Sequence, residues 1–395
     1  MSSNPFLKQI KSRSEELLPE LIQIRRHLHA RPELSFEEKE TSAYISARLH
    51  ALGIKHQTGI AGYGITGILD SGKPGKTIAL RADMDALPIQ ETNEVAYKSV
   101  NDGIMHACGH DVHSTCLLGA LQILNEHTDF WSGKVQFVFQ PGEEKLPGGA
   151  SLMIQAGIFD ETRPDAIFGL HVFNPLRVGT AGFRAGIYMA SSDELYIRVK
   201  GKGGHGAIPE LTIDPVPIAA QIISSLQTLA SRSAKPTTPT VLSIGKIVAN
   251  GATNVIPDEV YMEGTFRTLD ENWRIKAHEH IRRICTETAS AYGAECEIRI
   301  ESGYPCLIND DNSTAKAIQT AQFMLGEEHV KALDIRMASE DFAFYSQRMP
   351  ACFFRLGTGN PDKNVLANVH TSSFDIDENS LAIGAALMAG IVVDY

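Results

Sequence analysis

Apolar positions alternate between helical spacing and strand spacing along the first half of this chain. Residues recurring at helical intervals predict helices over 14–29, 38–52 and 114–125. Short, continuous apolar segments between them predict buried strands over 77–80, 135–139 and 166–170. This alternation of helices and strands predicts an α/β fold around a largely buried sheet.

The pattern changes after residue 190. Strand, helix, strand, strand, helix and strand are predicted over 195–199, 214–231, 240–248, 259–268, 271–292 and 296–301. This β-α-β-β-α-β order is typical of a ferredoxin-like unit. A further apolar strand over 353–357 then returns the chain to the first domain. We therefore predict one domain from 1–190 with 305–395, and an inserted domain over 191–304.

Charge and cysteine content exclude several classes of protein. The 395-residue chain has a net charge of −11 without blocks of like charge, so nucleic acid and membrane surfaces are not expected partners. The first residues lack the layout of a signal peptide. Six cysteines at wide, irregular spacing do not form a disulfide framework. We expect a cytoplasmic protein with reduced thiols.

Polar residues follow each of the three predicted parallel strands. Residues 81–85, which contain Asp83, follow the first strand, 140–144 follow the second, and His171 follows the third. Open α/β sheets place their sites at this edge. The sequence therefore predicts one site built from three separate segments.

Residues 106–113 contain three histidines, one cysteine and one aspartate in a chain with only 14 His. Thiolates and neutral imidazoles bind zinc and similar divalent metals. If the segment is extended, Cys108 and His110 point the same way and bind one metal centre. Spacing alone does not choose among His106, His110 and His113, and a polar loop capped by Asp111 is the alternative interpretation.

Glu143 and Glu144 are adjacent carboxylates at a strand end. A hydrolase can use one carboxylate as a metal ligand and the other as a general base. The usual interpretation of an isolated pair of glutamates, however, is a solvated acidic turn. His171 and His370 are ambiguous in isolation. The same holds for three residues of the inserted domain, namely His205 in a Gly-rich loop, Asn254 and Arg267.

Taken together, these motifs resemble the M20 family of metallopeptidases, most closely its amidohydrolase branch of aminoacylases, hippurate hydrolases and auxin-conjugate hydrolases. Six motifs occur in the family's order, over 81–85, 106–113, 142–144, 169–171, 203–205 and 254–257. The resemblance covers essentially the whole chain. It implies a catalytic α/β/α domain with a central mixed sheet and a smaller ferredoxin-like domain that serves as lid and dimer interface.

The resemblance also implies roles for individual residues. The ligands of two divalent metals would be Cys108, His110, Glu144, His171 and His370, with Cys108 as the bridge. Glu143 would be the general base, and Asp83 would support the ligands. His205 would reach the partner subunit's active site and stabilise the oxyanion, while Asn254 and Arg267 would bind the substrate's carboxylate.

The function implied is hydrolysis of N-acyl amino acids to a carboxylate and a free amino acid. The metals expected are zinc or manganese, with cobalt and nickel as alternatives. A homodimer or a tetramer formed through the lid domain is expected. The competing hypotheses are a dipeptidase or carboxypeptidase of the same family, and a non-catalytic metal-binding protein with this fold.

Overall fold

The computed structural model describes residues 6–395, and the chain divides into two compact units. The first unit contains the described residues up to Ile187, together with Ile308–Asp334 and Asp341–Tyr395. The second contains Tyr188–Leu307 and Ile335–Glu340. The latter segment belongs with the second unit because the Ala190 amide donates to the carbonyl oxygens of Arg336 and Ala338, at 3.0 and 3.1 Å.

The helices and strands follow one another along both units. The helices are α1 (Phe6–Ala30), α2 (Lys39–Ala51), α3 (His110–Glu126), α4 (Gly149–Gln155), α5 (Pro215–Leu226), α6 (Glu271–Ala291), α7 (Asp311–Leu325), α8 (Ala343–Ser346) and α9 (Ser380–Asp394). The strands are β1 (His56–Ile60), β2 (Gly64–Asp70), β3 (Thr77–Asp83), β4 (Lys134–Gln140), β5 (Ala166–Arg177), β6 (Ala181–Phe183), β7 (Gly186–Met189), β8 (Asp193–Lys200), β9 (Gly204–His205), β10 (Thr240–Val248), β11 (Val255–Ile256), β12 (Glu259–Thr268), β13 (Glu295–Ser302), β14 (Leu307–Asn309), β15 (Val330–Ala332) and β16 (Ala351–Gly359).

The first unit is built on a mixed sheet with the strand order β1-β2-β4-β3-β5-β16-β6-β15. Its central strands β4, β3, β5 and β16 are parallel neighbours, whereas β1, β2 and β6 pair antiparallel. The central strands are almost continuously buried, as strands covered on both faces require. The predicted α/β fold with a central mixed sheet is confirmed.

Helices α1, α3 and α9 pack against one another in this unit. Leu7 and Ile10 extend the apolar stripe that continues through Leu17 and Leu21, so α1 starts well before the predicted residue 14. The apolar C-terminal segment forms α9, a helix buried along most of its length. The core therefore supports α1 and α3, which both carry residues of the candidate site.

The second unit contains a four-stranded antiparallel sheet in the order β10-β12-β8-β13, with α5 and α6 packed on it. Alternate residues of β8, such as Leu195 and Ile197, are buried against the helices. Both helices begin at an aspartate whose carboxylate accepts a backbone N–H, Asp214 for α5 and Asp270 for α6. The sheet and its two helices enclose a separate hydrophobic core.

Candidate active site

The polar residues that follow the central strands of the first unit meet at one edge of its sheet. Asp83 ends β3 and lies opposite Gln140, the last residue of β4. Arg81 lies opposite Gly169 of β5, which places His171 level with Asp83. The parallel register thus brings together three segments that are far apart in the sequence.

A left-handed turn at Gly109 places Cys108 beside the first residue of α3, His110. Gly109 has φ +81°, and a Cβ atom there would lie 2.6 Å from the Val172 side chain, so only glycine fits. The segment is therefore not extended, and α3 begins at His110 rather than near residue 114. A tight turn, and not strand alternation, brings the Cys108 thiol and the His110 ring to one place.

Cys108 belongs to two clusters of side chains that could each bind a metal ion. Its Sγ lies 3.4 Å from His171 Nε2, and His370 Nε2 lies 3.1 Å from Glu144 Oε1. Within each cluster all potential ligand atoms lie within 4.8 Å of one another. These two clusters are Cys108 with His110 and His171, and Cys108 with Glu144 and His370. Other possible clusters combine His110 with Glu143 and Glu144, and Asp83 with His110 and His113.

Hydrogen bonds fix which ring nitrogens of His110 and His171 are available to a metal. The Val172 carbonyl accepts from His171 Nδ1 at 2.8 Å, which leaves the lone pair on Nε2. The Asp85 carboxylate accepts from His110 Nδ1 at 3.1 Å, and the buried His110 Nε2 has no hydrogen-bond partner. Metal-binding histidines are typically oriented in this way through their second nitrogen. These residues therefore fit a divalent metal.

The charges around His110 also favour a cation. Burial lowers the pKa of His110, but the carboxylates of Asp83 and Asp85 outweigh it and raise the pKa to about 10. Burial, together with the charges of Glu144 and Glu143, raises the pKa of the Cys108 thiol well above its ordinary value. A metal ion would supply the positive charge that a Cys108 thiolate needs in this position.

His113 and His106 are buried near the site in different ways. His113 Nδ1 donates to Asp83 at 2.6 Å, and its Nε2 accepts from the Val172 amide at 3.0 Å. Both nitrogens of His113 are thus used. Burial lowers the pKa of His106 to about 4, and among residues 6–395 no metal-binding cluster includes it.

The Asp83 carboxylate is paired with an arginine and a histidine inside the protein. Its carboxylate accepts from Arg81 Nη1 at 2.6 Å and from His113 at the same distance. Burial raises the pKa of Asp83, but the charge of Arg81 and the two nearby histidines hold it well below its usual range. Asp83 is therefore an ionised, fully buried support for this edge of the sheet.

The turn after β4 separates Glu143 from Glu144. Gly142 adopts φ +59° against the Phe36 ring, where a Cβ atom would lie 2.3 Å from the ring. The Glu144 amide donates to Asp85 at 3.0 Å, and its carboxylate lies beside His370. Glu143 is 6% exposed, and its Oε1 accepts from the Asp341 amide at 3.4 Å. The two adjacent carboxylates thus have different neighbours.

Glu38, the residue directly before α2, stabilises the turn at Gly142 through hydrogen bonds. Its Oε1 accepts from the Gly142 amide at 2.7 Å and from the Phe36 amide at 2.9 Å. Its Oε2 is buried without a hydrogen-bond partner. Burial, with a contribution from the Asp85 charge, raises the pKa of Glu38 to about 7. Ionisation of Glu38 therefore costs stability in the folded protein.

We expect Glu38→Gln to stabilise the metal-free protein selectively at high pH. The raised pKa means that wild-type stability is fully present below pH 4.5 and is lost as the pH rises through about 7. Glutamine keeps the acceptor and carries no charge. The difference in the free energy of unfolding between the variant and the wild type should be on the order of 2 kcal/mol more favourable to the variant at pH 8 than at pH 4. Urea unfolding of both proteins at both pH values measures this difference. The neighbouring, exposed Glu37→Gln is the control, and equal profiles for the two variants would refute the assignment.

His370 lies on a loop attached to the 106–109 segment. Its backbone has φ +63°, and its amide donates to the Ala107 carbonyl at 2.7 Å. Its side chain is about half exposed. No local pattern brings His370 next to Glu144, because more than 200 residues separate them; only the family resemblance implied that both bind the same metal ion.

The sequence assigned no role to Asp85, and for the buried acid Asp341 it left two alternatives open, an acid that supports the ligands or, by default, a charge at the start of a helix. Asp85 orients both His110 and the Glu144 amide. Asp341 accepts from Arg81 Nη2 at 2.7 Å and from the side-chain amide of Gln140. For Asp85 a signal existed, since it follows Asp83 by two residues past the end of a strand.

This arrangement of thiol, imidazoles and carboxylates has counterparts in known proteins. The family model for "Peptidase family M20/M25/M40" matches residues 79–394. The chain belongs to this family. An N-acyl-L-amino acid amidohydrolase from Geobacillus stearothermophilus is 42% identical over 77% of this chain and 82% of that one. Thermostable carboxypeptidase 2 from Saccharolobus solfataricus is 39% identical over 99% of each chain.

A solved structure supports the same relationship. The dinuclear metal-binding M20 peptidase from Bacillus subtilis superposes with a TM-score of 0.82 at 35% identity, covering 96% of this chain and 98% of that one. This M20 chain is therefore a metal-dependent hydrolase that acts on amide bonds. The alternative of a non-catalytic metal-binding protein is set aside.

The second unit of this M20 enzyme brings His205 and Asn254 together. Strands β9 and β11 pair so that His205 lies opposite Val255, and the Gly206 amide donates to the Asn254 carbonyl at 2.8 Å. Both His205 and Asn254 are exposed. Arg267 is on β12, where its guanidinium donates to the Met337 carbonyl and to Ser339 Oγ.

Over residues 6–395, no helix of the M20 chain is both long enough and apolar enough to cross a bilayer.

Proposed function

We propose that this M20 enzyme hydrolyses the amide bond of N-acyl amino acids at a two-metal site. Cys108, His110 and His171 would bind one ion, and Cys108, Glu144 and His370 the other. Glu143 would act as the general base. The assignment goes beyond the family relationship, because it names the residues and the class of substrate.

The observation that carries the proposal is the shared position of Cys108. Its sulfur belongs to both clusters, and a thiolate can bridge two metal ions. His171 and His110 each use Nδ1 in a hydrogen bond, so Nε2 is the nitrogen that each could offer to a metal ion. Glu143 lies next to this pair of clusters without being needed by either.

The protein's own groups would perform the proton transfers. Two divalent ions, when bound, polarise a scissile carbonyl and lower the pKa of water. Glu143 would accept the proton of the attacking water and return it to the leaving amine nitrogen. Its burial keeps the carboxylate away from bulk water, which limits competing proton exchange. Asp83 would act indirectly by holding His113 and Arg81.

Three residues of the second unit would bind the substrate. Arg267 is about half-buried, and among the described residues no carboxylate lies within ion-pair distance of it. Burial lowers the pKa of Arg267. An incoming carboxylate would relieve this cost through two parallel hydrogen bonds. Asn254 would assist Arg267, and His205 of the partner subunit would donate to the oxyanion.

A carboxypeptidase is the second candidate, because a relative bearing that name matches the chain over its full length at 39% identity. Both activities cleave an amide next to a free carboxylate. They differ in the group on the carbonyl side of that amide, which is an acyl chain in one case and a peptide in the other. A substrate panel distinguishes the two activities.

The expected result of that panel is a preference for N-acyl amino acids. Metal-free enzyme re-loaded separately with zinc, manganese, cobalt and nickel is assayed on N-acetyl and N-benzoyl amino acids and on dipeptides. We expect kcat/KM to be at least about tenfold higher for the N-acyl compounds with the best metal. Replacing the carboxylate of the best substrate with a carboxamide should lower kcat/KM by about 10- to 100-fold, which is the contribution of a charge-assisted hydrogen bond to a carboxylate.

Other outcomes of the panel would overturn parts of the proposal. Faster cleavage of peptides would replace the amidohydrolase assignment with the carboxypeptidase. Equal rates for the acid and its carboxamide would remove the role of Arg267. No turnover with any of the four metals would refute the proposed reaction.

We also infer zinc or manganese as the metal, a homodimer or tetramer formed through the second unit, and a cytoplasmic location. Thiolate and imidazole ligands suit zinc, with cobalt and nickel as alternatives. All six cysteines are present as thiols and not as disulfides, which is consistent with a reducing compartment.

A further inference from the structure

A buried arginine on α1 connects two segments that carry proposed metal ligands. The Arg25 side chain has no solvent exposure. Its Nε donates to Asp111 Oδ2 at 2.9 Å, and its Nη2 donates to Asp375 Oδ1 at 2.8 Å. Asp111 directly follows His110, and Asp375 lies on the same loop as His370. One guanidinium therefore contacts the His110 segment and the His370 loop at the same time.

We propose that Arg25 is a positioning residue that holds the His370 loop in register with the start of α3. Loss of Arg25 would weaken the binding of the metal ion held by Glu144 and His370 more than the binding of the ion held by His110 and His171. This inference rests on the ligand assignment made under the proposed function. It adds a residue that contacts neither the metal nor the substrate.

The contacts on the α3 side are rigid. His29, one turn after Arg25 on α1, lies with its Nδ1 2.8 Å from the same Asp111 oxygen and its Nε2 3.3 Å from Glu91. The side chains of His29, Asp111 and Glu91 have no solvent exposure. Burial raises the pKa of Asp111, but the charges of Arg25 and His29 outweigh it and hold the pKa far below its usual value. The start of α3 is thus fixed to α1 by two side chains.

The contacts on the loop side are more exposed. The Asp375 side chain is 19% exposed, and its second oxygen accepts from the Tyr97 hydroxyl at 2.8 Å. Asn174 donates to the Ala367 and Asp375 carbonyls, at 2.6 and 2.9 Å. Because the Asp375 and His370 side chains are both partly exposed, whereas Asp111 is fully buried, the loop is the part of the site that would move first.

Charge explains why the loss of Arg25 would affect the loop. Without the guanidinium, the Asp111 and Asp375 carboxylates would face each other in a poorly solvated region. Like charges there repel strongly. Asp111 cannot move, since His29 and α3 hold it, so Asp375 and its loop would move instead. Metal sites tolerate ligand displacements of only about half an ångström.

The test compares Arg25→Met and Asp375→Asn with Arg26→Met as the matched control. Arg26 is the next residue on α1, but its side chain is 45% exposed and pairs with Glu378 at the surface. Asp375→Asn keeps the shape of the side chain and supplies a variant that folds if Arg25→Met does not. His370→Ala is the reference for complete loss of the loop ligand.

Stepwise zinc dissociation constants are measured by chelator competition, on protein shown by circular dichroism to be folded at the assay temperature. We expect Arg25→Met to weaken the binding of one zinc ion by about tenfold, the lower end of the range for residues that orient ligands. Asp375→Asn loses the ion pair with Arg25 but creates no repulsion with Asp111, so it should weaken the binding of the same ion by a smaller factor. The other ion should keep its affinity. Arg26→Met should bind both ions like the wild type, and His370→Ala should lose the same ion more completely.

Three results would overturn the inference in distinguishable ways. If Arg25→Met and Asp375→Asn bind both ions like Arg26→Met, Arg25 does not position the loop. If the two variants weaken the binding of both ions equally, Arg25 contributes to general stability and does not position the His370 loop. If His370→Ala itself keeps both ions at wild-type affinity, the ligand assignment fails, and with it the proposed two-metal function.

Discussion

We expect the replacement of Glu143 with glutamine to lower kcat by about a thousandfold and to leave the content of bound metal unchanged. The size follows from the loss of the proposed general base, a role that contributes about 10²–10⁴-fold. Glutamine has the shape of glutamate and can still accept the hydrogen bond from the Asp341 amide. The fold and the metal ligands should therefore be preserved while proton transfer is lost. Steady-state kinetics and metal analysis on the same preparation provide the measurement.

The adjacent residue supplies the control for this prediction. Glu144→Gln changes the same chemical group one position later, but Glu144 lies beside His370 and Cys108 in a ligand cluster. We expect that variant to lose metal and activity together. Since Glu143 also belongs to a cluster with His110 and Glu144, loss of metal from Glu143→Gln would identify Glu143 as a ligand and not the base. Retained activity would exclude both roles.

The location of the site could be predicted because it follows from strand order. Apolar strands 77–80, 135–139 and 166–170 were each followed by polar residues, and parallel strands bring their carboxyl ends to the same edge. The observed parallel pairing of β3 with both β4 and β5 does this. Periodicity along the chain therefore carried enough information to bring Asp83, Glu143 and His171 together.

The start of α3 could not be predicted by the same reasoning. His110, Asp111 and His113 look like a polar loop, because an isolated helix start with these side chains would face water. In the protein all three are buried, and their partners are Asp83, Asp85 and Arg25. Arg25 and Asp111 are 86 residues apart, and Arg25 and Asp375 are 350 apart. Contacts over such separations leave no local pattern in the sequence.

Cys108→Ala is expected to remove both metal ions and to reduce hydrolysis to the background rate, a loss of at least about 10³-fold. The reason is that the Cys108 sulfur belongs to both ligand clusters, so a single substitution opens two coordination shells. The residue is 5% exposed, and its methyl-sized replacement leaves His110, His171 and Glu144 around a gap without a bridging anion. Each ion would keep only two protein ligands, fewer than the three that catalytic zinc sites provide.

Cys116→Ala is the matched control for this variant. Cys116 is a buried thiol on α3 that donates to the Leu381 carbonyl at 3.6 Å, and among residues 6–395 it belongs to no metal-binding cluster. Its loss should lower stability by about 1 kcal/mol and leave both ions in place. Cys108→Asp restores an anionic group that can bridge two ions, so it should recover metal where alanine does not. If Cys108→Ala kept two tightly bound ions, the bridge would have to be another residue.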